Sequence, residues 1–386
     1  MNTEQDLIYR LWSVLVFGAG SSKLSELYER FNEPARLYMA LGQDGAERAM
    51  LTSQRLAAVD GITLQKAETV IEDCAKRNIR IVSISDSDYP ETLKTIYAPP
   101  QILFYIGSLK GINTRHTLGV VGTRTPSEYS RQVTSALVSS LAKNDIDIVS
   151  GFADGIDICA HLTAARCGTR TYAVLGCGVD HIYPKSNERY RETVSSHGAV
   201  ISEFLPGTIP NPKNFPQRNR ILSGLSDAVA VIEAGAKSGS LNTASHAAVQ
   251  GRTVFTVPPS DLFDRRYAGN ISLLRDGSTP LMGTRDILDE FGITDTDSTK
   301  AEQKKPVATE PEKVSEKSIP ATVKEAADTG SEEGNRLIHL IEESGPLPLS
   351  ALAELSGDDT EHILELVSEL ELGGYIENTG GEYRLT

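Results

Sequence analysis

Residues 118–157 read LGVVGTRTPSEYSRQVTSALVSSLAKNDIDIVSGFADGID, and this stretch decides the fold. Its first four residues form a short apolar run of the kind that makes a buried strand, ending in Gly122-Thr123-Arg124. A polar turn with Pro126 and Ser127 follows. Val133, Leu137, Val138 and Leu141 are then spaced for a helix of about four turns. A second strand-like run, 146–150, ends in another glycine turn, 151–155. The pattern is a βαβ unit with small residues at both strand ends. Glycine lets a ligand approach the backbone, and the N–H groups that open the next helix favour an anion. The stretch predicts a phosphate held at the carboxyl edge of a parallel sheet.

Composition sets the bounds. A chain of 386 residues predicts roughly two or three domains with a sizeable core. Hydrophobic residues make up 39%, and no apolar run approaches the ~18 residues needed to cross a bilayer. The N-terminus, MNTEQDLIYR, is polar and acidic before Leu11, which predicts no secretory signal. Cys74, Cys159, Cys167 and Cys177 are scattered without CxxC spacing, which predicts reduced thiols in a cytoplasmic protein and no metal site. The net charge is −14, but residues 336–386 hold 11 acidic and 2 basic residues, whereas 116–290 hold 17 of each. A neutral domain can hold nucleic acid wherever a few cations converge.

Residues 1–78 read as a helical domain. The glycine turns 17–20 and 59–62 are open to two readings: helix-hairpin-helix turns that offer N–H groups to DNA, or ordinary helical turns with glycine near the cap. Strand-like runs at 79–85 and 102–106 follow. After the opening βαβ unit the alternation continues with strands at 171–175, 200–202, 228–232 and 253–257, and helices at 155–167, 186–197 and 240–250. Such alternation predicts, over 79–293, an extended Rossmann-like, doubly wound parallel sheet of the α/β class. Residues 294–334, rich in Lys, Glu, Thr, Ala and Pro, read as a flexible linker. Residues 335–386 have the order of a winged-helix domain. Its third helix, 360–372, carries Glu361, Glu365, Glu369 and Glu371, which repel phosphate and predict a protein-contact module.

No G-x-G-x-x-G follows the first strand, and no glycine-lysine-Ser/Thr occurs, so neither a dinucleotide nor a Walker loop is predicted. The strand ends offer instead a repeated set of small, hydroxyl and basic residues. These are Gly122, Thr123, Arg124 and Ser127, then Ser150, Gly151, Gly155 and Asp157. Lys185 comes after Tyr183-Pro184, followed by Phe215, Arg218, Asn219 and Arg220, and by Lys237, Ser238 and Gly239. Single cations interleaved with glycine N–H groups suit a ligand with several phosphates in a row, and Tyr183 and Phe215 offer faces on which bases stack. The alternative has Arg218 and Arg220 in structural salt bridges and Phe215 in the core. Asp157 and Asn219 are expected to orient loops, and His161 to be a packed histidine. No catalytic residue and no cofactor is predicted.

These motifs resemble the DNA-processing protein A family (DprA, also called Smf). The matching residues are Val121-Gly122-Thr123-Arg124, the run 150–157 with Ala160-His161, and Gly176-Cys177-Gly178 to Tyr183-Pro184-Lys185. Ser202-Glu203-Phe204, the run 215–221 and Ser238-Gly239-Ser240-Leu241 complete them, over roughly residues 80 to 280. The chain departs from the family pattern at Tyr129-Ser130, at Val257-Pro258-Pro259, and at Leu273-Leu274 with Gly277-Ser278. The resemblance implies a homodimer that binds single-stranded DNA without sequence preference, shields it, and helps load the RecA recombinase in natural transformation and DNA recombination. It also implies phosphate contacts at Arg124, Lys185, Arg218 and Arg220. The competing expectation is a nucleotide N-glycosidic hydrolase of the lysine-decarboxylase-like, cytokinin-releasing type. Against it, 233–240 lacks the glycine pair and first-turn glutamate of those enzymes.

Overall fold

The computed structural model describes residues 3–43, 46–181, 183–293 and 332–356, with 362–363, 366–367, 370–371, 375–379 and 382–385 of the C-terminal stretch. The chain divides into two compact units, Met1–Lys305 and Pro306–Thr386.

The first unit opens with helices α1 (Thr3–Phe17), α2 (Ser22–Phe31), α3 (Pro34–Gly42), the single turn α4 (Ala46–Ala49), α5 (Ser53–Gly61) and α6 (Leu64–Lys76). Ser21, Thr52 and Thr63 start α2, α5 and α6 by accepting the N–H of Leu24, Arg55 and Lys66. Leu11, Trp12, Leu37 and Leu41 are buried with Ile102 and Phe104, so these helices share a core with the neighbouring sheet. Both glycine turns have a carbonyl engaged by a side chain of the protein. The Ala19 carbonyl accepts from Gln217 Nε2 at 2.7 Å, and the Ile62 carbonyl accepts from Trp12 Nε1 at 2.7 Å.

The sheet comprises β1 (Arg80–Ser83), β2 (Ile102–Gly107), β3 (Thr117–Val121), β4 (Asp147–Ser150), β5 (Thr171–Val174), β6 (Gly198–Ser202), β7 (Ala228–Val231), β8 (Thr253–Thr256) and β9 (Thr279–Pro280). Their order is β1-β2-β6-β5-β4-β3-β7-β8-β9. All pairs from β6 to β9 are parallel, while β1 with β2 and β2 with β6 are antiparallel. Helices α7 (Glu128–Ala142), α8 (Ile156–Arg166), α9 (Arg191–Ser196), α10 (Asn214–Gly224), α11 (Gly239–Val249), α12 (Ala268–Arg275) and α13 (Thr284–Glu290) complete the unit.

The period of two along each strand separates two cores. Leu118, Val120, Ile148, Ala228 and Ala230 face α7, α8 and α13, burying Leu137, Val138, Ala160 and Ile287. Val121, Val149, Val229 and Val231 face the other way, against Ile221, Leu222 and Ala244 of α10 and α11. With both faces covered, the strands read as continuous apolar runs, which is why the doubly wound parallel sheet was legible.

Three local expectations need correction. Residues 186–197 are a 3-10 turn, Lys185–Tyr190, followed by the short α9, because Pro184 and a run of polar residues give no continuous apolar stripe. The run 215–220, grouped by its residue types with the strand ends, is the helix α10. Beyond β8 the chain adds α12, β9 and α13.

In the second unit, helices Glu332–Ser344 and Leu349–Ser356 bury Leu337, Ile341 and Leu352 against Ile376 and Tyr383. Strands Leu347–Pro348, Ile376–Thr379 and Glu382–Leu385 form a small antiparallel sheet. Among the described residues these are two helices and the small sheet that a winged helix contains. Of the linker expected at 294–334, residues 294–331 lie outside the described residues and 332–334 belong instead to the helix Glu332–Ser344; most of the acidic helix expected at 360–372 also lies outside the described residues.

One side chain ties the ends of β7 and β8 together. Asn270, fully buried, accepts the Ala234 N–H at 2.7 Å and donates to the Ile232 and Val257 carbonyls at 2.9 Å each. Asn270→Ala strands three buried backbone groups, and is expected to destabilise the unit by about 2–4 kcal/mol. The check is urea unfolding followed by fluorescence of Trp12, the single tryptophan, which is buried in the same unit.

Candidate functional site

Strand β3 is followed in sequence by β4 on one side and flanked by β7 on the other, so the crossovers leave it in opposite directions. The loops after β3 and β7 therefore diverge and leave a crevice at their carboxyl ends. A groove of ≈ 540 Å³ opens there. One wall is the β3–α7 turn, with Gly122, Thr123 and Arg124. The opposite wall is the β7–α11 turn, with Gly235, Lys237, Ser238 and Gly239, and Ser240 and Thr243 behind it. Asp157 and Ala153 close it beneath, and α10 supplies Phe215, Arg218, Asn219 and Leu222.

Helix geometry explains which residues of the 215–220 run reach the groove. Successive residues turn by about 100°, so 215, 218, 219 and 222 share a face. Arg220 lies on the other side. It is buried and paired with the buried carboxylate of Glu203, whose pKa burial raises while Arg220 opposes the rise. This corrects the expectation for Arg220: it is a structural ion pair and does not line the groove.

Arg218 is only 6% exposed. Its Nη1 donates to the Gly151 carbonyl at 2.8 Å and to the Val174 carbonyl, and its guanidinium lies 5.9 Å from the Phe215 ring centre. Its Nε has no hydrogen-bond partner among the described residues, which leaves a donor of the groove wall without a protein acceptor. Beside it, Asp157 Oδ2 accepts the N–H of Gly151 at 3.1 Å and of Ala153 at 3.4 Å. Burial pushes the Asp157 carboxyl up to about 6, with Arg218 and the two N–H groups pulling against that rise.

Further expectations are corrected here. The Gly151 N–H is engaged by Asp157. A Cβ at this glycine would lie 2.5 Å from Arg218 and 2.6 Å from Asp157, so the residue makes room for those side chains and not for a phosphate. Ser150 Oγ is buried on the Val120 carbonyl at 2.6 Å. Gly155, at φ +81°, is pressed against the Thr123 carbonyl, where a Cβ would sit at 2.4 Å, so it closes two loops on each other. Ser127 caps α7 by accepting the Ser130 N–H, and both its N–H and its Oγ donate to Glu233, at 2.9 and 2.7 Å.

Arg124 and Lys237 are exposed on facing walls. Ser238 caps α11 by accepting the Ser240 N–H, and the first turn of α11 opens into the groove, where the helix dipole favours an anion. Asn219 donates to Asn242 Oδ1 at 3.1 Å and so ties α10 to α11, a contact between helices where loop ordering was expected. Lys185 is exposed outside the groove wall, two residues from Tyr183, whose ring stands 5.3 Å from that of Phe215. His161 is fully buried on Thr171 Oγ1, and burial lowers its pKa to about 3, so it is a neutral packed histidine as expected. Reading the sequence missed Glu233 and Tyr267, which anchor Ser127, because nothing in their spacing links them to it.

A model of the family described as DNA recombination-mediator protein A matches residues 62–292. DNA processing protein DprA of Bacillus subtilis is 39% identical over 226 residues, covering 58% of this chain and 76% of that protein. DNA processing protein DprA of Streptococcus pneumoniae is 39% identical over 209 residues, covering 54% of this chain and 73% of that protein. Its X-ray structure superimposes with TM-score 0.62 at 31% identity, covering 73% of this chain and 96% of that one. A structure of DNA processing protein A from Helicobacter pylori, described for its unique single-stranded DNA binding mode, matches with TM-score 0.50 at 30% identity, covering 55% and 95%.

Two outcomes follow from the buried charges. Arg220→Ala leaves the Glu203 carboxylate buried and alone, and is expected to lower stability in urea unfolding by about 3–5 kcal/mol. Asp157 has a folded pKa of about 6 against an ordinary 3.8, so folding penalises its charged form. The penalty is carried in full above that pKa and released as the native state takes up a proton below it. Wild-type stability should therefore rise by about 1.4 kcal/mol from pH 7 to pH 5 relative to Asp157→Asn, compared by unfolding curves at each pH.

Proposed function

The chain belongs to the DNA recombination-mediator protein A family, and from that premise we propose that its groove binds single-stranded DNA without sequence preference. The protein shields the strand and helps load the RecA recombinase on it during natural transformation and DNA recombination. The observation that carries this reading is the convergence of Arg124, Lys237, Arg218 and the α11 N-terminus on one open groove, with the Phe215–Tyr183 ring pair at its α10 side. Cations and helix N–H groups suit backbone phosphates, and aromatic faces accept any base, which gives affinity without sequence readout. An α10 carbonyl-bound arginine and exposed cations around it also separate duties: Arg218 holds the floor while Arg124, Lys237 and, outside the wall, Lys185 meet the strand.

The protein acts by binding and not as an enzyme. The carboxylate lining the groove, Asp157, is tied to two backbone N–H groups, and Glu233 is turned onto Ser127, so neither is placed as the acid of a nucleotide hydrolase. A second copy of the chain and the recombinase are the partners we assign, in a cytoplasmic setting. Among the described residues no helix is long and apolar enough to cross a membrane. We divide the chain into a helical domain at 1–78, the sheet domain at 79–293, a linker from 294 and an acidic winged helix that begins with the helix Glu332–Ser344.

Fluorescence anisotropy with labelled oligo-dT, against duplex of the same length at two salt concentrations, tests the reading. Tight, salt-sensitive binding that prefers the single strand is expected. Arg124→Ala should weaken it and reduce the salt slope by about 0.7, with the thermal midpoint unchanged because the side chain is exposed. Unchanged affinity and slope in that variant would remove Arg124 from the site.

A further inference from the structure

The loop that leaves the carboxyl end of β8 and runs to Tyr267 stands beside the groove, since β8 pairs with β7 in parallel. At its tip Leu262 is 71% and Phe263 92% exposed, a contiguous display of apolar surface. The loop is held rigidly. Asp261 Oδ1 accepts the Phe263 N–H at 2.9 Å, and Asp264 accepts the Arg266 N–H at 2.9 Å and pairs with its guanidinium at 2.7 Å. Both acidic residues are thus engaged within the loop. Arg265, next to them, is exposed and makes no ion pair among the described residues.

The base of the loop is fastened to the groove wall. Tyr267 is buried, and its hydroxyl lies 2.7 Å from Ser127 Oγ and 2.8 Å from Ser130 Oγ at the start of α7. Tyr129, 38% exposed, bridges the two parts: its hydroxyl donates to the Pro258 carbonyl at 3.4 Å, and its ring centre is 6.4 Å from that of Tyr267. Tyr129 and Tyr267 thus fasten the base of the loop to the start of α7, the helix that follows the Arg124 turn at the carboxyl edge of the sheet.

Resting on the single-stranded DNA reading of the groove, we propose that the strand continues past the β3–α7 turn over this loop, with a base stacked on Phe263 and a backbone phosphate on Arg265. A ring fixed by its own turn loses little freedom when a base stacks on it, and stacking is indifferent to base identity.

The experiment compares labelled oligo-dT of about four nucleotides, short enough for the groove alone, with one of about 15 nucleotides. Phe263→Ala should weaken the long oligonucleotide roughly tenfold and leave the short one unchanged, and Phe263→Trp should restore the loss. Arg265→Gln should lower the salt slope for the long oligonucleotide by about 0.7 and not for the short one. Equal affinity of Phe263→Ala for the long strand, or equal weakening of both lengths, overturns the proposal. So does a change of oligomeric state in sedimentation without a change in affinity, which makes the loop a contact between copies. If the wild-type protein binds neither length, the groove reading itself falls; if it binds both and the variants match it, only the extension does.

Discussion

Arg218 brings a charge to a place 6% exposed, beneath the ends of β4 and β5, and the groove is built around keeping it there. An isolated buried cation is strongly disfavoured, so it needs acceptors. Two carbonyls, of Gly151 and Val174, supply them, and the charge of the neighbouring Asp157 favours the cation. Each of these fixes something else. Gly151 has to lack a side chain, Asp157 has to sit at the start of α8 with its carboxylate turned back, and α10 has to lie across the sheet at a height set by the guanidinium. The loop after β4, which in sequence looks like a phosphate loop, is thereby the seat of an arginine.

The same helix sorts its residues by angle. Phe215, Arg218, Asn219 and Leu222 look into the groove, whereas Gln217 and Arg220 look toward the N-terminal helices, meeting the Ala19 carbonyl and Glu203. One helix thus carries the functional wall on one side and the joint to the first 76 residues on the other. A change in either face moves both, because a helix has no soft dihedral through which to absorb a shift of one side alone. Arg220 is consequently a stability residue although it lies two positions from Arg218.

The parts of this architecture that were legible in the sequence are those governed by short-range rules. Strands buried on both faces appear as apolar runs, and glycine at strand ends marks close approach, so the alternating sheet and the β3 and β7 turns could be read directly. Helix α10 was not legible. Its buried residues include Arg218, Asn219, Arg220 and Ser223, so the apolar stripe that reveals a helix is replaced by polar side chains satisfied at long range. Gly151 and Gly155 were misread for a related reason. A glycine that makes room for a ligand and one that makes room for Arg218 or the Thr123 carbonyl look the same until the third dimension is known.

A net charge of −14 and a groove for a polyanion are compatible on physical grounds. At physiological ionic strength exposed charges are screened over about 8 Å, so a phosphate in the groove responds to Arg124, Lys237, Arg218 and the α11 terminus far more than to distant carboxylates. The buried acids contribute little field either, since Asp157 and Glu203 each face an arginine. What remains is a local excess of positive charge in a neutral sheet domain. On the proposed reading, such a groove would hold its ligand through a few phosphates at a time, and a flexible single strand bends to present them more readily than a stiff duplex.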